Sequence, residues 1–199
     1  NSNGHQLYSQ VMLAGGIPLY EGIIDDTEQS TKNAIEKALN QSDIVVLTGG
    51  VSMGDFDYVP KVIESLGIDI IFKTIAVQPG KPTLFGVKGK KLIFGLPGNP
   101  VSSLFQFNLL VRSAIQNYMG NTHPLKPFQK MPLAFDFKRK RTERLALVPA
   151  KFNHNGEVEA VEYHGSAHIF ALSDANAMIE IPIGVQSIKK GEIVNVRSL

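Results

Sequence analysis

This 199-residue chain has no cysteine, and no apolar run approaches the roughly 18 residues that a membrane-spanning helix needs. The first absence excludes disulfides and thiolate metal sites, and it leaves the redox compartment open. The second argues against a membrane partner. Charge of one sign is also scarce: the formal net charge is +2, too small to imply nucleic acid. The opening NSNGHQ carries neither the basic start nor the apolar core of a secretory signal, so a cytoplasmic protein is expected. What remains is ordinary globular composition, 43% hydrophobic and 19% charged, in a length that suits one large domain or two small ones.

Up to Asn121 the apolar pattern alternates between helical and strand periods. Leu7, Val11 and Ala14 mark a short helix that stops at Gly15-Gly16, and Ile17–Ile24 reads as a strand. Asp26 or Thr27 caps a helix with Ala34, Ile35, Ala38 and Leu39 on one face, and Asp26 with Gln29 resembles a capping box. Asp43–Leu47 is an almost wholly apolar strand, as expected under helices on both faces. A helix follows at about Tyr58–Leu66 with Pro60 in its first turn, then strands at Ile68–Ile75 and Leu92–Phe94. Asn99 as N-cap and Pro100 at N1 open a helix lined by Leu104, Phe107, Val111, Ile115 and Tyr118, which Gly120 ends. The expected fold is an α/β domain, a three-layer open and mostly parallel sheet, over residues 1–121. The proline-bearing THPLKPFQKMP reads as a linker. Five short strand-like runs follow, at Leu133–Phe137, Leu145–Phe152, Val158–Tyr163, Met178–Ile183 and Ile193–Val196, and predict a small all-β domain over 128–199.

Chemistry concentrates at the ends of two apolar strands. In TGGVSMGDFD, Gly49, Gly50 and Gly54 with the hydroxyls of Thr48 and Ser52 form a backbone cradle for phosphate, and Asp55 and Asp57 suit a divalent cation. The same residues also fit a tight turn with Asp57 as N-cap. No G-K-[ST] follows and the glycine spacing differs from a dinucleotide fingerprint. In GLPGNPVSS, Gly95 and Gly98 permit close approach, Asn99 offers directional hydrogen bonds, and Ser102 and Ser103 sit near a helix start that favours an anion. A capped strand-to-helix turn explains that loop equally well. PGKP fixes Lys81 between prolines, either as an oxyanion contact or as a solvated lysine on a rigid turn. FKRKRTER, Phe137–Arg144, is a basic run without aromatic stacking partners, so a solvated strand or hairpin face fits better than an acidic partner or nucleic acid. His164 and His168 in HGSAH lack a third ligand, so zinc is not expected there.

These residues resemble the molybdopterin molybdenumtransferases, the MoeA family, related to the C-terminal domain of gephyrin. The resemblance rests on SNG at Ser2–Gly4, Asp25-Asp26, GGVSMGDFDYV at Gly49–Val59, PGKP at Pro79–Pro82 and GLPGNPVS at Gly95–Ser102. HGSAHIFALSDANAMIEIP and the terminal KKGEIVNV resemble the family's small C-terminal β domain. It implies the molybdopterin-binding domain fold and insertion of molybdate into adenylylated molybdopterin, with release of AMP and help from Mg2+. It places Gly49, Gly50, Ser52, Gly54, Pro79, Gly80, Gly98, Asn99 and Pro100 around the pterin phosphate and nucleotide. Asp57, Lys81 and Ser102 fall at the reaction centre, and Asp57 with Asp55 meets the metal, although Asp55 stands where the family often has glutamate. It also implies that the chain is the family's C-terminal half only, a fragment that binds phosphate ligands but turns over little. The full-length protein would be a homodimer with an adenylyltransferase as a partner. The alternatives are a molybdopterin adenylyltransferase or a non-catalytic scaffold.

Overall fold

The computed structural model describes residues 2–51, 58–125, 127–161 and 171–199. The chain divides into two compact units, one made of Asn1–Ile75 with Gly80–Pro124 and the other of Ala76–Pro79 with Leu125–Leu199.

The first unit opens with α1 (Ser2–Leu13), α2 (Glu28–Gln41), β1 (Ile44–Thr48), α3 (Val59–Ser65) and β2 (Asp69–Phe72). The two-residue β3 (Val77–Gln78) belongs to the second unit. The chain then returns through β4 (Leu84–Lys88), β5 (Lys91–Leu96), α4 (Pro100–Gln106), a π-helical turn at Phe107–Val111 and α5 (Arg112–Tyr118). Gly15, at φ +87°, ends α1: the Gly15 and Gly16 N–H groups donate to the Met12 and Val11 carbonyls at 2.9 Å each, a paired closure that needs a left-handed residue. Thr27, in extended conformation, caps α2 by accepting the Ser30 N–H at 3.2 Å. The Asp26–Gln29 capping box expected from sequence does not form, because the helix starts one residue later and Gln29 instead donates to Asn33 at 2.8 Å.

Strand order in the sheet is β1-β5-β4-β2. Alternation along β5 sends Ile93 to one face, with Ile35, Leu39, Val45, Val62, Ile63 and Leu84. Phe94 and Leu96 go to the other, with Leu7, Phe107, Val111 and Ile115. Two lysines of the β4–β5 hairpin tie the sheet to helix ends: Lys88 Nζ donates to the Leu66 carbonyl at 2.6 Å and Lys91 Nζ to the Ser42 carbonyl at 2.8 Å. Both carbonyls belong to C-caps, where a cation offsets the dipole.

The expected three-layer, mostly parallel sheet is overturned. Among the described residues only β1–β5 is parallel in this sheet, while β5–β4 and β4–β2 are antiparallel. The reason is β4, hidden in a segment whose proline and glycines read as a turn. Gly89, at φ +58°, makes the tight reversal between Lys88 and Lys91. Gly86 is glycine because β2 passes close: a Cβ there would lie 2.9 Å from Ile68 Cγ2 and 3.2 Å from the Asp69 carbonyl oxygen. The strand expected at Ile17–Ile24 is also absent, since Pro18 has no N–H to give a ladder and Gly22 turns at φ +88°. Its Ile17 is left 91% exposed. In the last helix the π turn, closed by the Arg112 N–H on the Phe107 carbonyl, shifts the register. Leu104, Phe107, Val111 and Ile115 are buried, whereas Tyr118 is 45% exposed.

The second unit contains β6 (Gln129–Pro132), β7 (Phe137–Lys138), β8 (Leu145–Phe152), β9 (Val158–Ala160), the single-turn α6 (Ala171–Asp174), β10 (Ala177–Ile181), β11 (Ser187–Ile188) and β12 (Ile193–Ser198). Its sheet runs β3-β8-β10-β12-β6 with β9 beside β8, and β7 pairs with β11 separately. Only β3–β8 is parallel among these strand pairings. The chain is thus a mixed α/β structure dominated by antiparallel pairing, and α6 makes the second unit other than purely β. Glu180, in the wholly buried β10, meets Arg197 Nε at 2.6 Å, and the guanidinium lies 4.0 Å from the Phe128 ring centroid. Met178 faces Arg197 across β10–β12, so Glu180 is its diagonal neighbour on the same face.

Candidate functional site

The parallel pair β1 and β5 ends in register, with Thr48 opposite Leu96. Both glycine turns therefore leave neighbouring strands at the same, C-terminal, sheet edge, the position where open α/β sheets take ligands. The ladder extends one step further, the Gly49 N–H donating to the Leu96 carbonyl at 3.1 Å. Gly49 and Gly50 then take φ +88° and +65°, a left-handed conformation that glycine adopts without the strain a Cβ would bring. A Cβ at Gly50 would stand 2.9 Å from Val59 Cγ2, so α3 closes against the turn. On the opposite strand a methyl group at Gly98 would stand 3.7 Å from the Gly49 Cα. The two turns are in van der Waals reach of each other.

A side chain given no role in the sequence reading, where it stands only within SNG at Ser2–Gly4, joins them. Asn3, buried in the first turn of α1, donates from Nδ2 to Thr48 Oγ1 at 2.9 Å and to the Gly98 carbonyl at 2.7 Å. Thr48 Oγ1 donates in turn to the Pro97 carbonyl at 2.9 Å. Carbonyls only accept, so this network fixes the amide orientation and uses both Nδ2 hydrogens. Asn3 Oδ1 finds no partner among the described residues. The signal was present: Asn3 precedes Leu7 by four positions, on the apolar face of α1.

The second turn leads into α4 with Pro100 in the first helical turn and Asn99, extended at φ −72° and ψ 128°, as N-cap residue. The Asn99 side chain makes no cap hydrogen bond, contrary to the sequence expectation, and it is exposed beside Gly98. Ser102 is only 3% exposed, and Ser103 is fully buried. Gly95 is buried beneath Val51, the last described residue of the first turn, whose Cγ1 would lie 2.6 Å from an added Cβ. The segment after Pro79 packs on the far end of the same helix. Gly80 takes φ +111°, and a Cβ there would fall within 2.8 Å of Gln106 Cγ and Cδ. The Lys81 carbonyl accepts the Ile75 and Thr83 N–H groups at 3.0 Å each, which fixes its backbone while its side chain stays exposed. Pro100 and Gln106 are six residue steps apart along α4, about 9 Å of rise. Lys81 therefore belongs to the same helix neighbourhood as the turns without touching the Asn3–Thr48–Gly98 network.

Ser52, Gly54, Asp55 and Asp57, and also His164 and His168, lie outside the described residues. Among the described residues no group of three or more histidine, aspartate or glutamate side chains could hold a metal ion. Asp25 and Asp26 are exposed, with the Asp25 carbonyl accepting the Thr27 N–H at 2.8 Å. The basic run divides. Arg139 spends its guanidinium on the Val185, Arg144 and Pro182 carbonyls at 2.7, 2.8 and 2.5 Å, a fixed structural role, while Lys138, Lys140 and Arg141 are exposed. No helix among the described residues is long and apolar enough to cross a membrane.

Residues 1–117 match the family described as a probable molybdopterin binding domain, and residues 130–199 match the MoeA C-terminal region (domain IV). The molybdopterin molybdenumtransferases of Bacillus subtilis (strain 168) and Staphylococcus epidermidis (strain RP62A) are each 34% identical to the chain over 98% of its length, and the matches cover 46% and 47% of those proteins. A solved molybdopterin biosynthesis MoeA protein from Pyrococcus horikoshii superposes with a TM-score of 0.84 at 33% identity, covering 98% of this chain and 47% of that one. The chain thus spans about half the length of the curated relatives it matches. These matches correct the expectation of a C-terminal portion alone: a molybdopterin-binding domain occupies residues 1–117, ahead of the MoeA C-terminal region.

Proposed function

Because the chain belongs to the family of the probable molybdopterin binding domain, we propose that it works as a molybdopterin molybdenumtransferase, inserting molybdate into adenylylated molybdopterin with release of AMP. The observation that carries this reading is the convergence of two glycine turns at one sheet edge, with Gly98 against Gly49. Backbone N–H groups of Gly50 and Gly98, with the helix start at Pro100 and the exposed Asn99, are the donors for phosphate oxygens, while the Gly49 N–H is held by the Leu96 carbonyl. By resemblance to the family, Ser52, Gly54, Pro79 and Gly80 are assigned to the same pterin-phosphate and nucleotide ligand.

Lys81 is assigned the charge that offsets molybdate or the pyrophosphate link, and Ser102 a hydroxyl at the base of the helix start. Asp57, with Asp55, is assigned to Mg2+, which prefers carboxylate oxygen and keeps several waters. When bound, Mg2+ would neutralise the pyrophosphate and ease departure of AMP. We assign the molybdopterin domain to 1–121 and the C-terminal domain to 128–199, and place the protein in the cytoplasm as a homodimer working beside an adenylyltransferase.

The test is product analysis. With adenylylated molybdopterin, Mg2+ and molybdate, AMP should appear with molybdate dependence, and Asp57→Asn should abolish it. Release of pyrophosphate from ATP and molybdopterin instead would identify an adenylyltransferase.

A further inference from the structure

We propose that Asn3 is a positioning residue that latches the two glycine turns together and so sets the shape of the phosphate cradle; this rests on the function proposed above. Its single Nδ2 group bridges the last residue of β1 and the second turn, at 2.9 Å to Thr48 Oγ1 and 2.7 Å to the Gly98 carbonyl. Thr48 closes the loop by donating to the Pro97 carbonyl at 2.9 Å. The latch is therefore three hydrogen bonds that span β1, β5 and α1, 45 and 95 residues apart in sequence. Asn3 is buried and its hydrogen bonds are part-buried, so leaving its partners unpaired carries a desolvation cost. The Gly49 N–H bond to the Leu96 carbonyl carries the ladder one step past β1; beyond it the Asn3 amide links the Gly98 carbonyl to Thr48, while glycine at both positions leaves no side chain to pack there. Both turns lie where the cradle's N–H groups must point at one ligand, and their relative position is what Asn3 holds. Asn3 has no need to touch the ligand.

The experiment compares the full chain with Asn3→Ala, Thr48→Val and Thr48→Ser, by amide hydrogen exchange and by AMP binding measured calorimetrically. Asn3→Ala should speed exchange at the Gly49 amide about tenfold, as expected for losing hydrogen bonds of this kind, and weaken AMP binding by a similar factor. Exchange at Val45 and Ile93, deep in β1 and β5, should not change. Thr48→Val should reproduce the effect and Thr48→Ser, which keeps the hydroxyl, should restore native behaviour. Should Asn3→Ala not fold, the two Thr48 variants carry the same comparison. Uniform acceleration across the first unit with unchanged AMP affinity would overturn the proposal, because Asn3 would then contribute only to stability. If the unaltered chain binds no AMP, the proposed function fails, while exchange at Gly49 still decides the latch.

Discussion

Replacing Gly95 with alanine puts a methyl carbon 2.6 Å from Val51 Cγ1 and 3.2 Å from Leu84 Cβ. Carbon atoms pack best at about 3.5–4.0 Å, so Val51 has to withdraw by about 1 Å, while Leu84 Cβ is anchored to β4 and yields less. Gly95 does not sit at positive φ, so crowding rather than backbone strain sets the cost. Overpacking of this kind costs about 1–3 kcal/mol, partly offset by about 0.4–1 kcal/mol from the stiffer unfolded chain. Val51→Ala alone removes two buried methyl groups and should cost about 1.5 kcal/mol or more. In the double variant the new methyl occupies space that Val51 vacated. The two costs should therefore fall short of additivity by about 1 kcal/mol, measured from urea midpoints at constant m-value. Because Val51 follows Gly49-Gly50, Gly95→Ala should also weaken AMP binding while Gly89→Asn, at the distant hairpin turn, should not. Additivity within about 0.3–0.5 kcal/mol would refute the packing of the first turn on β5.

Gly80→Ala should lower the melting temperature sharply. It adds left-handed strain of about 1–3 kcal/mol to a clash with Gln106, and Gln106→Ala should recover only the clash. Removing one member of the Glu180–Arg197 pair, whose side chains are 9% and 11% exposed, should cost about 3–5 kcal/mol, whereas Glu180→Leu with Arg197→Met should be nearly neutral by urea denaturation. Equal losses in single and double variants would contradict that account. The Lys190 N–H and the Lys189 ammonium, 2.9 and 3.0 Å away, hold the Asp136 carboxyl below the usual carboxylate range. A depressed folded value contributes stability above the unfolded value that is lost as pH falls through the folded one. The stability gap between the native chain and Asp136→Asn should thus close on acidification below the ordinary aspartate range, read from melting curves at stepped pH. A gap that widens there would contradict it.

The two turns were legible in sequence because their glycines sit where apolar strands end, and local pattern is all such turns require. The strands β1 and β5 were legible as the apolar runs Asp43–Leu47 and Leu92–Phe94, close to the observed Ile44–Thr48 and Lys91–Leu96, but nothing in those runs named each as the other's partner. β4 was not, since Pro82 and Gly86 carry the signature of a turn, and only the close passage of β2 explains the glycine. Antiparallel pairing hangs on that one strand. Ile17–Ile24 shows the opposite failure: its β-branched residues suit a strand, but Pro18 and Gly22 deny it a ladder. Long-range partners left the weakest trace. Asn3 reaches across 95 residues to Gly98, Gln106 reaches back to Gly80, and Arg197 reaches Glu180 from a neighbouring strand. Single-sequence pattern encodes the face a residue occupies and not the atom it meets there.

A crystal soaked with adenylylated molybdopterin tests most directly whether both turns serve one ligand. The account predicts a phosphate group in hydrogen-bond contact with Gly50 and, at the same time, with Gly98 or Asn99. Ligand density touching one turn alone, or lying away from the C-terminal ends of β1 and β5, would contradict it.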